Sequence, residues 1–142
     1  MSTVNFGTIF NFAEEMEGLD REFYVAAADN PACATYGELF ASLAANCKKN
    51  IANAQRTRRE CVTEMILEPI RGLDLASFAQ APADAKTLDA AGALAEAQRL
   101  EERAGQFYAS AAQRIKALPE GAQGLKTSGK LRARNLKALE AV

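Results

Sequence analysis

The sequence predicts an all-α protein, an antiparallel four-helix bundle of two helical hairpins joined by a long crossover. Hydrophobic residues make up 49% of the 142 residues, many of them alanine, with only 4 prolines and 9 glycines. Apolar residues recur every three or four positions in four long segments, as one face of a helix requires. The length suits a single compact domain over residues 1–142.

The first hairpin is predicted over about residues 5–65. Its first helix spans residues 5–30, because the residue before Pro31 is driven away from helical backbone. Its second helix spans about residues 35–65. The predicted inward residues are Phe6, Phe10, Ala13, Glu17, Asp20, Tyr24 and Ala27 in the first helix, and Phe40, Leu43, Cys47, Asn50, Ala54, Thr57 and Cys61 in the second.

The crossover is predicted over residues 66–86, because two prolines and a glycine interrupt it, with a short helix near residues 73–79. The second hairpin spans about residues 87–140. Its helices are predicted from about residue 84 to 118 and over residues 122–139, with a turn between them at residues 119–121. The predicted inward residues are Ala91, Leu94, Gln98, Glu101, Gly105, Tyr108, Ala112 and Ile115 in the third helix, and Leu125, Ser128, Arg132, Asn135 and Leu139 in the fourth.

Composition restricts the classes of function. The net charge is −1, which favours neither a nucleic-acid nor a membrane-surface partner. No apolar run approaches the ~20 residues of a membrane span, and no basic segment of a signal peptide is expected. An odd number of cysteines, 3, predicts reduced thiols and a cytoplasmic protein. The chain contains no histidine, so histidine neither binds a metal nor transfers a proton here.

One pattern occurs in both halves of the chain. A glutamate lies seven residues before the tyrosine of a Phe-Tyr pair in each half: Glu17 precedes Tyr24, and Glu101 precedes Tyr108. The two tyrosines are 84 positions apart. Repeated helices that each carry an inward carboxylate are how a di-metal four-helix bundle is built.

On these residues the chain resembles the ferritin-like superfamily, and within it the short rubrerythrin-like proteins, from about residue 8 to 140. In that family two helices each supply one glutamate to a di-iron centre, and the other two each supply Glu-x-x-His. The resemblance places Glu17 and Glu101 at the two single-glutamate positions. The two Glu-x-x-His motifs fall, 85 positions apart, on pairs that lack both residue types: Cys47 with Asn50, and Arg132 with Asn135.

The resemblance therefore implies a degenerate di-iron site that holds no metal. Arg132 keeps its charge and has a rigid fork of donors that fits carboxylates. We expect its guanidinium to bridge Glu17 and Glu101 at the former metal position. Asn50 and Asn135 would complete the hydrogen bonds as neutral replacements for imidazole. The alternative is that Arg132 extends from a partly exposed helix into water.

Other residues near the site allow two interpretations each. Asp20 either extends the acidic lining or faces outward. Tyr24 and Tyr108 either pack with their hydroxyls on a facing polar group, or donate to the site carboxylates or act as redox-active phenols. Cys47 is either a small buried residue or a reactive thiol whose pKa a nearby cation lowers. Cys33 is expected to be the most exposed thiol.

The preferred interpretation is a metal-free, non-catalytic binding or structural module whose protein or small-molecule partner is unknown. Two alternatives are an oxidoreductase and a thiol redox or sulfur-handling protein that uses Cys47. The oxidoreductase would act on peroxide or oxygen, with iron held in a histidine-free site by Glu17, Asp20, Glu101 and Cys47.

A homodimer is expected, because relatives in the resembled family associate through helices and because the crossover is rich in apolar residues. These residues could equally cap the bundle of a monomer; they are Ile66, Leu67, Ile70, Leu73, Leu75 and Phe78. A basic cluster on the second helix is expected to be a solvated face, with docking of an acidic partner as the alternative. Its members are Lys48, Lys49, Arg56, Arg58 and Arg59.

Overall fold

The computed structural model describes residues 4–61 and 68–142. These residues form four long helices and no strand, which confirms the all-α prediction. The helices are α1 (Phe6–Asp29), α2 (Gly37–Glu60), α3 (Ala90–Arg114) and α4 (Pro119–Glu140). Shorter 3₁₀ helices in the same part of the chain span Pro31–Tyr36, Leu75–Phe78 and Ala85–Thr87. None of the described helices has a stretch long and apolar enough to cross a membrane.

Helix α1 begins and ends within one residue of the prediction. Asn5 caps it, because its side chain accepts a hydrogen bond from the backbone N–H of Thr8 (2.9 Å). The Thr8 hydroxyl lies 2.8 Å from the backbone N–H of Asn5, so the two residues satisfy each other's donors. At the other end Asn30 adopts extended backbone directly before Pro31, as the proline requires.

Helix α2 begins at Gly37, two residues later than predicted, because the preceding six residues form a 3₁₀ helix interrupted at Cys33. Its described part ends at Glu60, and the predicted continuation to residue 65 lies outside the described residues. Helix α3 begins at Ala90, about six residues later than predicted. Asp89 caps it by accepting from Gly92 N–H (2.7 Å), after extended backbone at Leu88.

Helix α4 begins at Pro119, where a turn was predicted. Proline is tolerated in the first turn of a helix, since its missing N–H has no intrahelical partner there. Two glycines bring α4 close to its neighbours. A Cβ at Gly121 would lie 2.6 Å from Phe6 Cε2 of α1, and one at Gly124 would lie 2.6 Å from Thr57 Oγ1 of α2. Larger residues at these positions would force the helices apart.

The predicted inward faces of α1, α2 and α4 are correct, except that Cys61 at the end of α2 is only half-buried. The predicted face of α3 is partly wrong, because Ala91 is exposed and three further residues are only partly buried: Leu94, Gln98 and Gly105. Alanine occurs on several sides of α3, so apolar spacing alone does not identify its core side. The buried residues of α3 are Ala93, Ala97, Leu100, Glu101, Ala104, Phe107, Tyr108, Ala111 and Ala112.

The helices pack mainly in two pairs, α1 with α2 and α3 with α4. The crossover lies against this bundle, and its 3₁₀ helix Leu75–Phe78 falls within the short helix predicted at residues 73–79. Its described apolar residues pack on the bundle core and do not form an exposed apolar surface: Ile70, Leu73, Leu75 and Phe78. The other two residues of the predicted apolar set, Ile66 and Leu67, lie outside the described residues.

Candidate functional site: a buried arginine–carboxylate network

Arg132 of α4 lies at the centre of the bundle and is 1% exposed. Its Nη1 donates to Glu101 Oε2 (2.5 Å), its Nη2 to Asp20 Oδ2 (2.7 Å) and its Nε to Glu17 Oε2 (3.1 Å). One guanidinium thus joins carboxylates from α1 and α3 to α4. The bridge expected between Glu17 and Glu101 is present, and Asp20 faces inward as a third partner. The outward alternatives for Arg132 and Asp20 are wrong.

Two asparagines complete the hydrogen bonds of the glutamates. Asn135 Nδ2 donates to Glu101 Oε1 (2.7 Å), and Asn50 Nδ2 donates to Glu17 Oε2 (3.1 Å). The same Asn50 amide lies 3.3 Å from the backbone carbonyl oxygen of Ser128 in α4. The amides therefore act as donors at the positions where the family resemblance implies imidazoles.

Arg103 is a second cation of the network, and the sequence did not reveal it. Its Nη2 donates to Asp20 Oδ1 (2.6 Å), and its Nη1 donates to the carbonyl oxygens of Phe78 (3.1 Å) and Gln80 (3.2 Å). Arg103 thereby ties the crossover to the buried site. Its role depends on where the crossover runs, which helical periodicity does not encode.

The network contains three buried carboxylates and two guanidiniums, so it carries one net negative charge when all groups are ionised. Burial raises the pKa of Glu101, although Arg132 and Asn135 oppose the shift. Burial alone would lower the pKa of Arg132, but the charges of Glu17 and Glu101 reverse this and raise it well above its usual range. Arg132 is therefore a permanent cation.

The two repeat-related tyrosines make different contacts. Tyr108 donates its hydroxyl to Glu17 Oε2 (2.5 Å), whereas the Tyr24 hydroxyl lies 3.5 Å from the carbonyl oxygen of Ala97. Only Tyr108 therefore bonds to a site carboxylate. Burial raises the pKa of Tyr108 well above its usual range, and the negative charge of Glu17 raises it further. Burial and the charge of Glu101 raise the pKa of Tyr24 in the same way. Both phenols keep their protons at neutral pH.

The acceptors on Glu17 are used unequally. Its Oε2 accepts from Arg132, Asn50 and Tyr108. Its Oε1 lies 3.0 Å from Arg132 Nη2 but makes no hydrogen bond of good geometry in the described structure. The pairing of this oxygen is therefore mainly electrostatic, and Glu17 depends on its three donors to Oε2.

The three thiols are unpaired, and the structure corrects their predicted accessibility. Cys33, expected to be the most exposed, is 0% exposed beneath α1, and Cys61 is the half-buried one. Cys47 is also 0% exposed. Burial raises the pKa of Cys47 well above its usual range, although Arg132 opposes the shift. The Cys47 thiol is therefore protonated at neutral pH, contrary to the interpretation in which a cation activates it.

The residues present do not fit a di-metal centre. The di-iron site of the family that this chain resembles has four carboxylates and two imidazoles as ligands. This chain has no histidine, and its three buried carboxylates all contact the guanidinium of Arg132. A metal ion there would meet the fixed positive charge of Arg132. Among the described residues no group of three or more acidic, cysteine or histidine side chains is arranged to hold a metal ion.

A row of asparagines joins α2 to α4 beside the network. Asn46 Nδ2 donates to Asn135 Oδ1 (2.7 Å), and Asn53 Nδ2 donates to Ser128 Oγ (2.8 Å), with Asn50 between them. The spacing of Asn46, Asn50 and Asn53 puts them on one side of α2. This spacing is visible in the sequence and could have predicted that the three asparagines share one face, but the sequence interpretation used only Asn50.

Comparison with known proteins found no matching protein-family model, no matching curated protein and no matching solved structure. The ferritin-like resemblance therefore stays a prediction from the sequence, based on the repeated Phe-Tyr pattern and on Glu17 and Glu101.

Proposed function

We propose that this chain is a metal-free, ferritin-like protein that serves as a binding or structural module rather than as an enzyme. The position of Arg132 supports this function most directly. Its guanidinium contacts Glu17 and Glu101, the two residues that the family resemblance assigns to the metal. The cation thus supplies the positive charge that a buried carboxylate pair requires, and it does so without a metal.

We include in this proposal the antiparallel two-hairpin topology of ferritin-like proteins. In each hairpin, residues further along one helix contact residues earlier in the other, which supports opposite helix directions. The contacting pairs are Glu14 with Arg58 and Glu17 with Asn50 in the first hairpin, and Glu101 with Asn135 and Tyr108 with Gly129 in the second.

Two observations weigh against the catalytic alternatives. A peroxide- or oxygen-reducing metal site would need the carboxylates that Arg132, Asn50 and Asn135 already engage. A thiol-based activity would need an accessible thiolate, but Cys47 is buried and its pKa is raised by burial. We therefore favour a binding or structural role over catalysis, with the buried network joining the helices at the centre of the bundle.

Anaerobic loading with Fe(II), followed by metal analysis, tests the metal-free site. We expect far fewer than one ion per chain in the wild type. A fourfold variant that rebuilds both Glu-x-x-His motifs should gain iron, because it removes the cation and adds the missing ligands. Its substitutions are Cys47→Glu, Asn50→His, Arg132→Glu and Asn135→His.

A matched control introduces the same kinds of residue on the same helices outside the network: Asn53→His with Arg134→Glu. This control should bind no more iron than the wild type. One or two ions per wild-type chain, lost on Glu17→Ala or Glu101→Ala, would instead establish a histidine-free metal site and favour the oxidoreductase.

We also propose a homodimer in a reducing, cytoplasmic compartment. Three unpaired thiols support the compartment. The homodimer rests on the family resemblance alone, since the described apolar residues of the crossover cover their own bundle. Light scattering after gel filtration tests the dimer, and a monomer mass at micromolar concentration would refute it.

A further inference from the structure

An open groove between α2 and α4 is lined by four cationic side chains. It encloses about 470 Å³ and has Lys49 and Arg56 on one side and Lys130 and Arg134 on the other. No acidic residue lines it. All four cations are exposed, and we call this set the basic groove. The proposed metal-free site assigns no ligand to this surface, so a function of the groove goes beyond it.

The cations of the basic groove form no ion pair within the described part of the chain. None of the ion pairs there includes Lys49, Lys130 or Arg134, and Arg56 donates only to Asn53 Oδ1 (2.7 Å). Four cations and no acidic residue line the groove, whereas the whole chain carries a net charge of −1, so the groove is locally rich in positive charge. Concentrated like charges create a local potential that attracts anions.

The other residues of the groove limit the kind of anion. No aromatic side chain lines it, so nothing is present to stack a nucleic-acid base. Leu131 is its only large apolar residue, so it lacks the aromatic and apolar anchors on which protein partners dock. Its volume lies within the range of small-molecule pockets, roughly 300–1,000 Å³.

We propose that the basic groove binds a small polyanion with two or more phosphate groups. Lysine ammonium groups act as point charges for phosphate oxygens, and arginine adds paired donors. We expect two phosphates rather than one, because the cations are divided two and two between α2 and α4. A free oligophosphate and a phosphorylated sugar share this chemistry.

Isothermal titration calorimetry at about 50 mM salt, where screening is moderate, tests the site with sodium tripolyphosphate as the probe. We expect one tripolyphosphate per chain. The variant Lys130→Gln with Arg134→Gln removes two charges from the groove and should weaken binding at least about tenfold, which corresponds to ~1.4 kcal/mol. A parallel titration with a hexose bisphosphate distinguishes a free oligophosphate from a phosphorylated sugar. The probe that binds more tightly indicates which of these two classes of ligand fits the groove.

The matched control is Lys48→Gln with Lys137→Gln. It removes the same charge from the same two helices, but neither residue lines the groove. It should change the affinity for tripolyphosphate less than about threefold, because neither side chain lines the groove and each would act only through longer-range attraction that solvent and salt weaken. Circular dichroism melting checks that both variants are folded. We expect them to be, because all four substituted residues are exposed.

Three results would overturn this inference. Equal losses in the groove variant and the control would mean general attraction to the surface. No heat of binding to the folded wild type at about 50 mM salt would mean that the charges do not form a site. A single-stranded oligonucleotide that binds more tightly than tripolyphosphate would identify a nucleic-acid surface. None of these results depends on the iron content of the buried site, so the two proposals can fail separately.

Discussion

Arg132 Nη1 and Glu101 Oε2 form an ion pair 2.5 Å long in which neither side chain is exposed to solvent. Such a pair is weak support for net stability, because both charges lose their hydration. Its partners nevertheless depend on one another strongly. Removing either one leaves a buried charge without a counter-ion, and this asymmetry determines how the bundle responds to substitution.

Replacing Arg132 by methionine should lower the free energy of unfolding by about 3–5 kcal/mol, because three buried carboxylates lose their shared cation. Urea unfolding at pH 7 measures the loss. The matched control is Arg134→Met, an exposed position on the same helix, which should change stability by about 0.5 kcal/mol or less. Equal stability of Arg132→Met and the wild type would show that the network is not ionised as described.

The stability difference between the wild type and Glu101→Gln should depend on pH. Because burial raises the pKa of Glu101 above its ordinary value of 4.5, the folded chain binds this proton more tightly than the unfolded chain. Its contribution is complete below pH 4.5 and is lost as the pH rises through the folded pKa. The advantage of the wild type over Glu101→Gln should therefore shrink as the pH rises from 4 towards 7.

Glu96→Gln serves as a control of opposite sign for this pH dependence. The hydrogen bond from Arg99 lowers the pKa of Glu96, so its contribution is present above 4.5 and is lost as the pH falls through the folded pKa. The advantage of the wild type over Glu96→Gln should grow with rising pH. Urea titrations at several pH values measure both trends, and parallel trends would contradict the assignment for Glu101.

Tyr108→Phe should destabilise the protein more than Tyr24→Phe, although the sequence repeat makes the two tyrosines equivalent. Loss of the Tyr108 hydroxyl removes a donor from buried Glu17 and should cost about 1–3 kcal/mol. The Tyr24 hydroxyl lies 3.5 Å from its acceptor, so its loss should cost less than about 1 kcal/mol. Thermal or urea unfolding of the two variants measures the difference in stability. Equal losses would show that the two tyrosines are equivalent, as the sequence repeat implies.

Cys47 should resist alkylation in the folded protein. Its thiol is buried and protonated at neutral pH, so iodoacetamide should modify half-buried Cys61 first and Cys47 only after unfolding. Peptide mass spectrometry after timed labelling at pH 7.5, with and without urea, measures the order. Rapid labelling of Cys47 without urea would show that its thiol is accessible and reactive, and it would support the thiol-based alternative.

The sequence was most informative where a charged residue lies on a stripe that is predicted to face inward. Glu17 lies between the buried residues Phe10 and Tyr24 on α1, and Arg132 lies between Leu125 and Leu139 on α4. Periodicity put both residues on inward stripes, and the repeat and the family resemblance supported a buried site there. On α3 the same reasoning chose Ala91 and Gln98, because an alanine-rich helix has apolar residues on several sides. Glu101 was correctly placed inside on two grounds, its position on the predicted stripe and the repeat of the glutamate and Phe-Tyr pattern.

The contacts that sequence reasoning missed join segments distant in the chain. Arg103 lies beside the site because the crossover supplies carbonyl oxygens to its guanidinium, and those carbonyls carry no side-chain signal. Cys33 was expected in an exposed link, but the 3₁₀ helix Pro31–Tyr36 turns it inward. Both outcomes depend on the path of a connection, which local residue patterns constrain least.

The central cation is contributed by the last of the four helices. During synthesis Glu17, Asp20 and Glu101 leave the ribosome before Arg132 does, so a nascent chain with only three helices has acids to bury and no Arg132 to balance them. The buried network can therefore be completed only once α4 is available. The residue that balances the buried carboxylates therefore also makes completion of the core depend on the fourth helix.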